Sequence, residues 1–193
     1  MELIKKSISS VLWISIGVYG VLAIKNYYVS AILFSLGLFI VCTFDLNLFT
    51  GKCGFIFETK DYLNLFYILI INLVAGYIFG LIYGLASPDM RVVAMEKVSC
   101  WDFSFTFFIK SLLCGVIMYA AVRIFKEGSL VGIFVGIPMF ILCGFQHCIA
   151  NVIYMGFAGV FEPALLICVL GNFLGSLFAW YINPIKLKSV KNN

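Results

Sequence analysis

Charge is what this chain has least of. Asp, Glu, Lys and Arg make up 11% of its 193 residues, whereas a water-soluble domain carries about 25%. That shortage excludes an ordinary soluble domain. Disulfide and zinc patterns are lacking too: the seven cysteines are odd in number, lie mostly in apolar stretches and include no CxxC pair, so they read as small hydrophobes rather than as a disulfide framework. An acid and base pair is also missing. The one histidine, His147, has a cysteine beside it, but adjacent positions on a helix point to different faces, which speaks against an intramembrane enzyme. The net charge of +4 says nothing of nucleic acid, because the lysines flank apolar segments.

What is present is oil. Hydrophobic residues make up 63% of the chain, 20 of them phenylalanine, and the mean hydropathy is +1.10. This is the composition of an integral membrane protein. A bilayer core of about 30 Å takes roughly 20 apolar residues per helix, so the length allows about six spans with short loops and no separate soluble domain. Apolar segments fall at 8–24, 29–46, 64–86, 103–122, 130–143 and 163–182, with a further short piece at 152–161. Charged or turn-forming stretches divide them: KNYY, ETKD, SPDMR, RIFKEG and EP. Lys5 and Lys6 before the first segment resemble the start of a signal peptide, but no small-residue cleavage site follows and the segment is expected to be a span.

Six spans put Lys5, Lys6, Lys52, Lys60, Arg123, Lys126, Lys186, Lys188 and Lys191 on one side, and Lys25, Arg91 and Lys97 on the other. The positive-inside rule then predicts both termini to be cytoplasmic, in a multi-pass protein of the cell's inner (plasma) membrane.

The second segment ends in FDLNLFTGKCGF and the fifth in GFQHCIANVIYMG, two apolar runs interrupted by Asn, Gly and other polar residues. The spans that follow also correspond, NLVAGYIFG beginning at Asn72 and NFLGSLFAW at Asn172. Three spans per half require the second half to be inserted upside down. The expectation is therefore an all-α protein with six transmembrane helices in two inverted three-helix repeats, interrupted in the second and fifth helices as in aquaporins. A single channel domain spans 1–193, with repeats of about 1–95 and 96–193. Backbone freed by such breaks cannot face lipid, and half-helix N-termini pointing at the midplane favour an anion. His147 lies in one break; an ionisable residue inside a membrane span is costly and marks a pathway or proton relay.

At these residues the chain resembles the formate/nitrite transporters, a family of formate, nitrite, lactate and hydrosulfide channels. Leu48, Phe49 and Thr50 match an L-F-T motif, with Asn47 in place of an acidic residue. Gly144, Phe145, His147, Ala150 and Asn151 match G-F-E-H-x-x-A-N, with Gln146 in place of the glutamate. FSLGL at 34–38, Pro138 with Phe140, and Gly171–Asn172 also match. The resemblance runs in order over essentially the whole chain. It implies a homopentamer with one pore per subunit, in which small monovalent anions, or their neutral acids, meet His147 and Thr50 between two apolar constrictions. Phe34, Leu38 and Phe140 would form the cytoplasmic-side constriction, and Phe49 with Met118 the other; Leu48 belongs to the same apolar set. Thr50 and Asn151 would orient the substrate, which gains a proton near the histidine or from vestibule water and crosses as the neutral acid. The family's lysine at the outer start of the fourth span corresponds to Lys97, or to Ser99 in an ungapped alignment; Lys110 lies too far along the helix. Gly115 replaces an asparagine common in the family, which implies a wider or less polar vestibule, and Asp45 could restore a carboxylate near the first break or serve as a cap.

No cofactor or metal is expected. The alternative is a cation or metal transporter using Cys143, His147 and Cys148, one helical turn of soft ligands. Gly76 and Gly80, with Gly171 and Gly175, form two small-xxx-small spacings, suited to helix packing within a protomer or between protomers.

Overall fold

The computed structural model describes residues 1–183, and every regular element among them is helical. The chain runs through α1 (Glu2–Ala23), α2 (Tyr27–Thr43), α3 (Phe49–Lys52), a 3-10 turn (Cys53–Phe55), α4 (Ile56–Thr59), α5 (Tyr62–Ala86), α6 (Pro88–Ser99), α7 (Phe105–Lys126), α8 (Val131–Leu142), α9 (Cys148–Ala158) and α10 (Ala164–Ile182). Lys186, Lys188 and Lys191, counted above toward orientation, lie outside the described residues.

Helices α1, α5, α7 and α10 are each long and apolar enough to cross a bilayer. The other two crossings are composite: α2 breaks and resumes as the helical run 49–59, and α8 breaks and resumes as α9. The chain is thus an all-α membrane protein with interrupted second and fifth spans. Two elements differ from expectation. Helix α1 begins at Glu2, so Lys5 and Lys6 sit within it; hydropathy marks only the apolar part of a helix, whereas its hydrogen bonds continue into the polar end. Helix α6 occupies what reads as a charged break, because Pro88 suits a first helical turn and Ala94 and Val98 supply a buried face.

Local chemistry sets several helix ends. The Asn26 side chain accepts from the Tyr28 and Val29 amides to start α2, and Ser104 accepts from Phe107 to start α7. Gly159, at φ 73°, closes α9 in the left-handed conformation.

The halves run in opposite directions. Tyr27 at the start of α2 donates to the Ile141 carbonyl near the end of α8, Phe34 meets Phe140 at 5.8 Å and Phe39 meets Phe134 at 5.9 Å, so α2 and α8 are antiparallel. Within each half the outer spans run side by side: Ser15 donates to the Tyr83 hydroxyl and Tyr19 bonds Ser87 between α1 and α5, while Ser176 of α10 donates to the Gly115 carbonyl of α7.

The glycines explain how close these helices come. A Cβ on Gly80 would run into the Ile153 carbonyl of α9, and one on Gly175 into the Leu112 carbonyl of α7. Gly76 faces Val152 and Gly171 faces Ser111. Both small-xxx-small spacings therefore serve packing inside the protomer. The same holds for Gly115, which lies against the Asn172 carbonyl and Ser176 of α10 and does not widen a vestibule.

Basic residues gather at the end of the bundle that holds the N-terminus, called here the terminal face. There Arg123 donates to Glu58 at 2.9 Å, Glu58 accepts from the Trp180 indole at 3.1 Å, and α4, α7 and α10 are tied together.

Candidate functional site

The two breaks are built from the same hydrogen bonds. After α2, Asp45 adopts φ 46° and the Leu46 amide donates back to Val41 at 2.9 Å; after α8, Gly144 adopts φ 66° and the Phe145 amide donates back to Phe140 at 2.9 Å. The Asn47 amide then donates to the Lys6 carbonyl of α1, and the Gln146 amide to the Lys110 carbonyl of α7, both at 3.3 Å.

A buried asparagine pins each restart. Asn72 accepts from the Phe49 amide at 2.8 Å and donates to the Asn47 carbonyl at 3.1 Å and the Ser7 carbonyl at 3.0 Å. Asn172 accepts from the Cys148 amide at 2.8 Å and donates to the Gln146 carbonyl at 2.8 Å and the Ser111 carbonyl at 2.7 Å. Both side chains are 0% exposed, so these amides take the place that water has elsewhere. They also occupy the first N–H of each half-helix, one of the groups that sequence reasoning offers to an anion. Their signal was an Asn inside each of two corresponding apolar spans.

By this correspondence His147 stands where the first break has Leu48, and there the symmetry ends. The His147 Nδ1 accepts from the Ala150 amide at 3.0 Å, capping α9. A lone pair is needed for that bond, so the ring proton sits on Nε2, which lies 2.9 Å from Thr50 Oγ1 in the other half. The imidazole donates to the threonine, and the threonine O–H is left to donate onward. His147 is 2% and Thr50 1% exposed.

Phe140 stacks on the imidazole with centroids 5.7 Å apart, and Phe34 meets Phe140 edge-on. These rings line a cavity of about 50 Å³ that also touches Tyr27, Lys97, Asn151 and Tyr154, away from the terminal face. The Lys97 ammonium lies 4.9 Å from the centre of the Tyr154 ring; Ser99 merely donates to its own helix at Glu96. Asn151 donates to Gln146 Oε1 at 3.0 Å and contacts the Cys168 sulfur at 3.6 Å, which leaves its carbonyl oxygen as the group available to a ligand. Gln146 in turn donates to the Gly144 carbonyl. Toward the terminal face a second cavity, of about 120 Å³, is lined by Leu38 and Leu48 together with Asp45, Lys52 and Lys126.

This placement divides the residues expected at the constrictions. Phe34 and Phe140 stand on the side away from the terminal face, and Leu38 is parted from them to join Leu48 on the other side. The antiparallel crossing of α2 and α8 is the reason: it brings Phe34 to the end of α8 and leaves Leu38 one turn deeper. Phe49 packs on Phe173, centroids 6.5 Å apart, and Met118 is buried at 1% exposure; neither lines these two cavities. Asp45 stays at the first break, where its carboxylate pairs with Lys52 at 2.6 Å. Asn47 lines a third cavity, of about 270 Å³, at the terminal face. The metal alternative loses its donors: both His147 nitrogens are engaged, and no group of three His, Cys, Asp or Glu side chains able to hold a metal ion occurs among the described residues.

No protein-family model matches the chain, and a search of curated proteins returns no match. Solved structures do match. A pentameric formate channel with formate bound superposes with a TM-score of 0.67 at 21% identity, covering 93% of this chain and 92% of that one. An ion channel of the FNT family superposes with a TM-score of 0.65 at 18% identity, over 94% of this chain and 84% of that one. The chain has the fold of these channels.

Proposed function

We propose that this chain belongs to the formate/nitrite transporter family and forms a channel, not an enzyme, for small monovalent weak acids such as formate, nitrite or hydrosulfide. The observation that carries the reading is the 2.9 Å bond between Thr50 and His147, which joins the two breaks between cavities on opposite faces. A bare anion loses hydration worth many kcal/mol in crossing apolar side chains such as Phe34, Phe140, Leu38 and Leu48, whereas the neutral acid does not. Lys97 draws the anion into the outer cavity. The Thr50 hydroxyl, set as a donor by His147, holds an acid oxygen or sulfur, and the Asn151 carbonyl accepts the acid's own proton. That pairing favours the protonated form at the crossing, with the proton taken from vestibule water beside His147.

Lys5, Lys6, Lys52, Lys60, Arg123 and Lys126 at the terminal face support cytoplasmic termini in the plasma membrane. The homopentamer, its outer faces covered by lipid and neighbouring subunits, rests on the assembly of the similar formate channel. Exposed apolar side chains such as Ile32, Leu36, Val74 and Ile78 supply surface for both.

Proteoliposome flux with a panel of formate, nitrite and hydrosulfide, set beside divalent metals, tests the function. Weak-acid flux that rises as pH falls, with no metal flux, is expected; metal transport without weak-acid flux would remove the channel reading. Native mass spectrometry in mild detergent is expected to give five copies of the 21.6 kDa chain, and an active monomer would remove the pentamer.

A further inference from the structure

The first break carries a carboxylate where its counterpart has none. Asp45 holds the left-handed position that the second break gives to Gly144, a conformation disfavoured for residues with a Cβ though tolerated by Asp and Asn. Its oxygens lie 2.6 Å from the Lys52 ammonium and 3.8 Å from that of Lys6, which is itself 3.4 Å from Glu2.

Lys126, at the last position of α7, lines the same 120 Å³ cavity as Asp45 and Lys52, and both lysines also border the adjoining 270 Å³ cavity. No carboxylate forms an ion pair with Lys126 among the described residues; its ammonium rests 3.7 Å from the centre of the Phe55 ring. The larger cavity also holds Asp61, whose carboxylate accepts from Asn64. Leu38, Leu48 and Val122 are among the apolar residues that line the smaller cavity. Lys52 and Lys126 thus line together a space large enough for a three-atom anion, and the acid paired with Lys52 there is Asp45 of the chain itself.

We propose that Lys52 and Lys126 form a recruitment site for a small monovalent anion at the terminal mouth, and that the Asp45 carboxylate is its built-in competitor. The site deepens the channel reading and rests on it for the physiological ligand. An incoming anion takes over Lys52 as Asp45 swings out to Lys6 or to water. It is then held against Leu38 and Leu48, where the apolar path begins. Asp45 keeps the mouth electrically matched when no anion is present, so occupancy follows the anion supply on that side and exchange stays fast.

The two halves of the proposal predict opposite signs. With formate as the probe, saturation-transfer NMR on its C–H proton measures weak binding to the detergent-solubilised full chain. Lys126→Met is expected to weaken formate binding about five-fold, as loss of one nearby unit charge at a wet surface does, and Lys126→Arg to restore it. Asp45→Asn, which tolerates the same backbone, is expected to strengthen binding by a similar factor; Asp45→Gly, copying Gly144, does the same and stands in if the first variant misfolds. Lys60→Met, on the same face but outside both cavities, is expected to change nothing. An Asp45 that merely braces the loop would weaken binding when removed. Unchanged affinity in both variants, a loss in both, or no formate binding to the parent chain would overturn the site. Flux in proteoliposomes separates the two levels: flux with the wrong binding signs removes only this site, and correct signs without flux remove only the channel.

Discussion

Replacing His147 by asparagine is expected to cut weak-acid flux by about ten-fold or more across the pH range while the protein stays folded. Asparagine is a good N-cap, so the bond that starts α9 at Ala150 survives the change. What disappears is the reach to Thr50 Oγ1 and the Nε2–H that orients it. Without the imidazole proton directed at it, the Thr50 hydroxyl is free to turn, and the donor that holds the acid oxygen is no longer set. A buried polar group left without its partner costs about 1–3 kcal/mol, and about 1.4 kcal/mol is a factor of ten. His147→Leu copies Leu48 from the matching position and removes the cap as well. It should lose flux to a similar extent and about 1 kcal/mol of stability besides. Stopped-flow flux in proteoliposomes between pH 5.5 and 7.5 decides the matter. Wild-type flux across that range in the asparagine variant would return His147 to a capping role alone.

The architecture was legible because the bilayer enforces it. Long apolar runs separated by charge mark the crossings, and interruptions rich in Gly and Asn mark the two breaks, since few other places in a membrane tolerate them. The juxtaposition of Thr50 and His147 was legible as well, but only through resemblance to a family; ninety-seven positions of separation carry no local signal. Other features were hidden for definite reasons. Helix α6 is polar and short, and its buried face is just Ala94 and Val98, so nothing periodic advertises it. The resemblance grouped Phe34, Leu38 and Phe140, and the sequence alone offered no check on it: Phe34 and Leu38 are one turn apart on one helix, whereas the antiparallel approach of α8 divides them between two cavities. The glycine spacings and Gly115 were ambiguous in principle, since a small residue shows that something comes close without saying which helix it is. Lys126 reads as a membrane-flanking lysine, and its place beside Lys52 appears only when α7 is set against the first break.

Asn172→Leu is expected to cost more than any pore substitution, because it acts on the fold of the break itself. The leucine fills a similar volume and suits the apolar span, so propensity and hydrophobicity both favour the change. The polar backbone opposes it. The Cys148 amide and the Gln146 carbonyl would each lose a partner in a place that is 0% exposed, and an unsatisfied buried group costs about 1–3 kcal/mol. Two such groups amount to a large part of the total stability of a typical domain, about 5–15 kcal/mol. The Cys148–His147 turn would then drift from Thr50, so flux should fall together with stability. Asn172→Asp keeps the acceptor for Cys148 and loses the donor to Gln146 and Ser111, while placing a charge in the span. Asn72→Leu, the same change at the matching pin, should be equally severe in stability, although the residue it positions is Leu48 rather than His147. Thermal aggregation measured by fluorescence-detected size exclusion should fall by several degrees or more for both leucine variants. A monodisperse Asn172→Leu protein of wild-type thermal stability would mean that the break is held by helix packing and that the asparagine bridges are incidental.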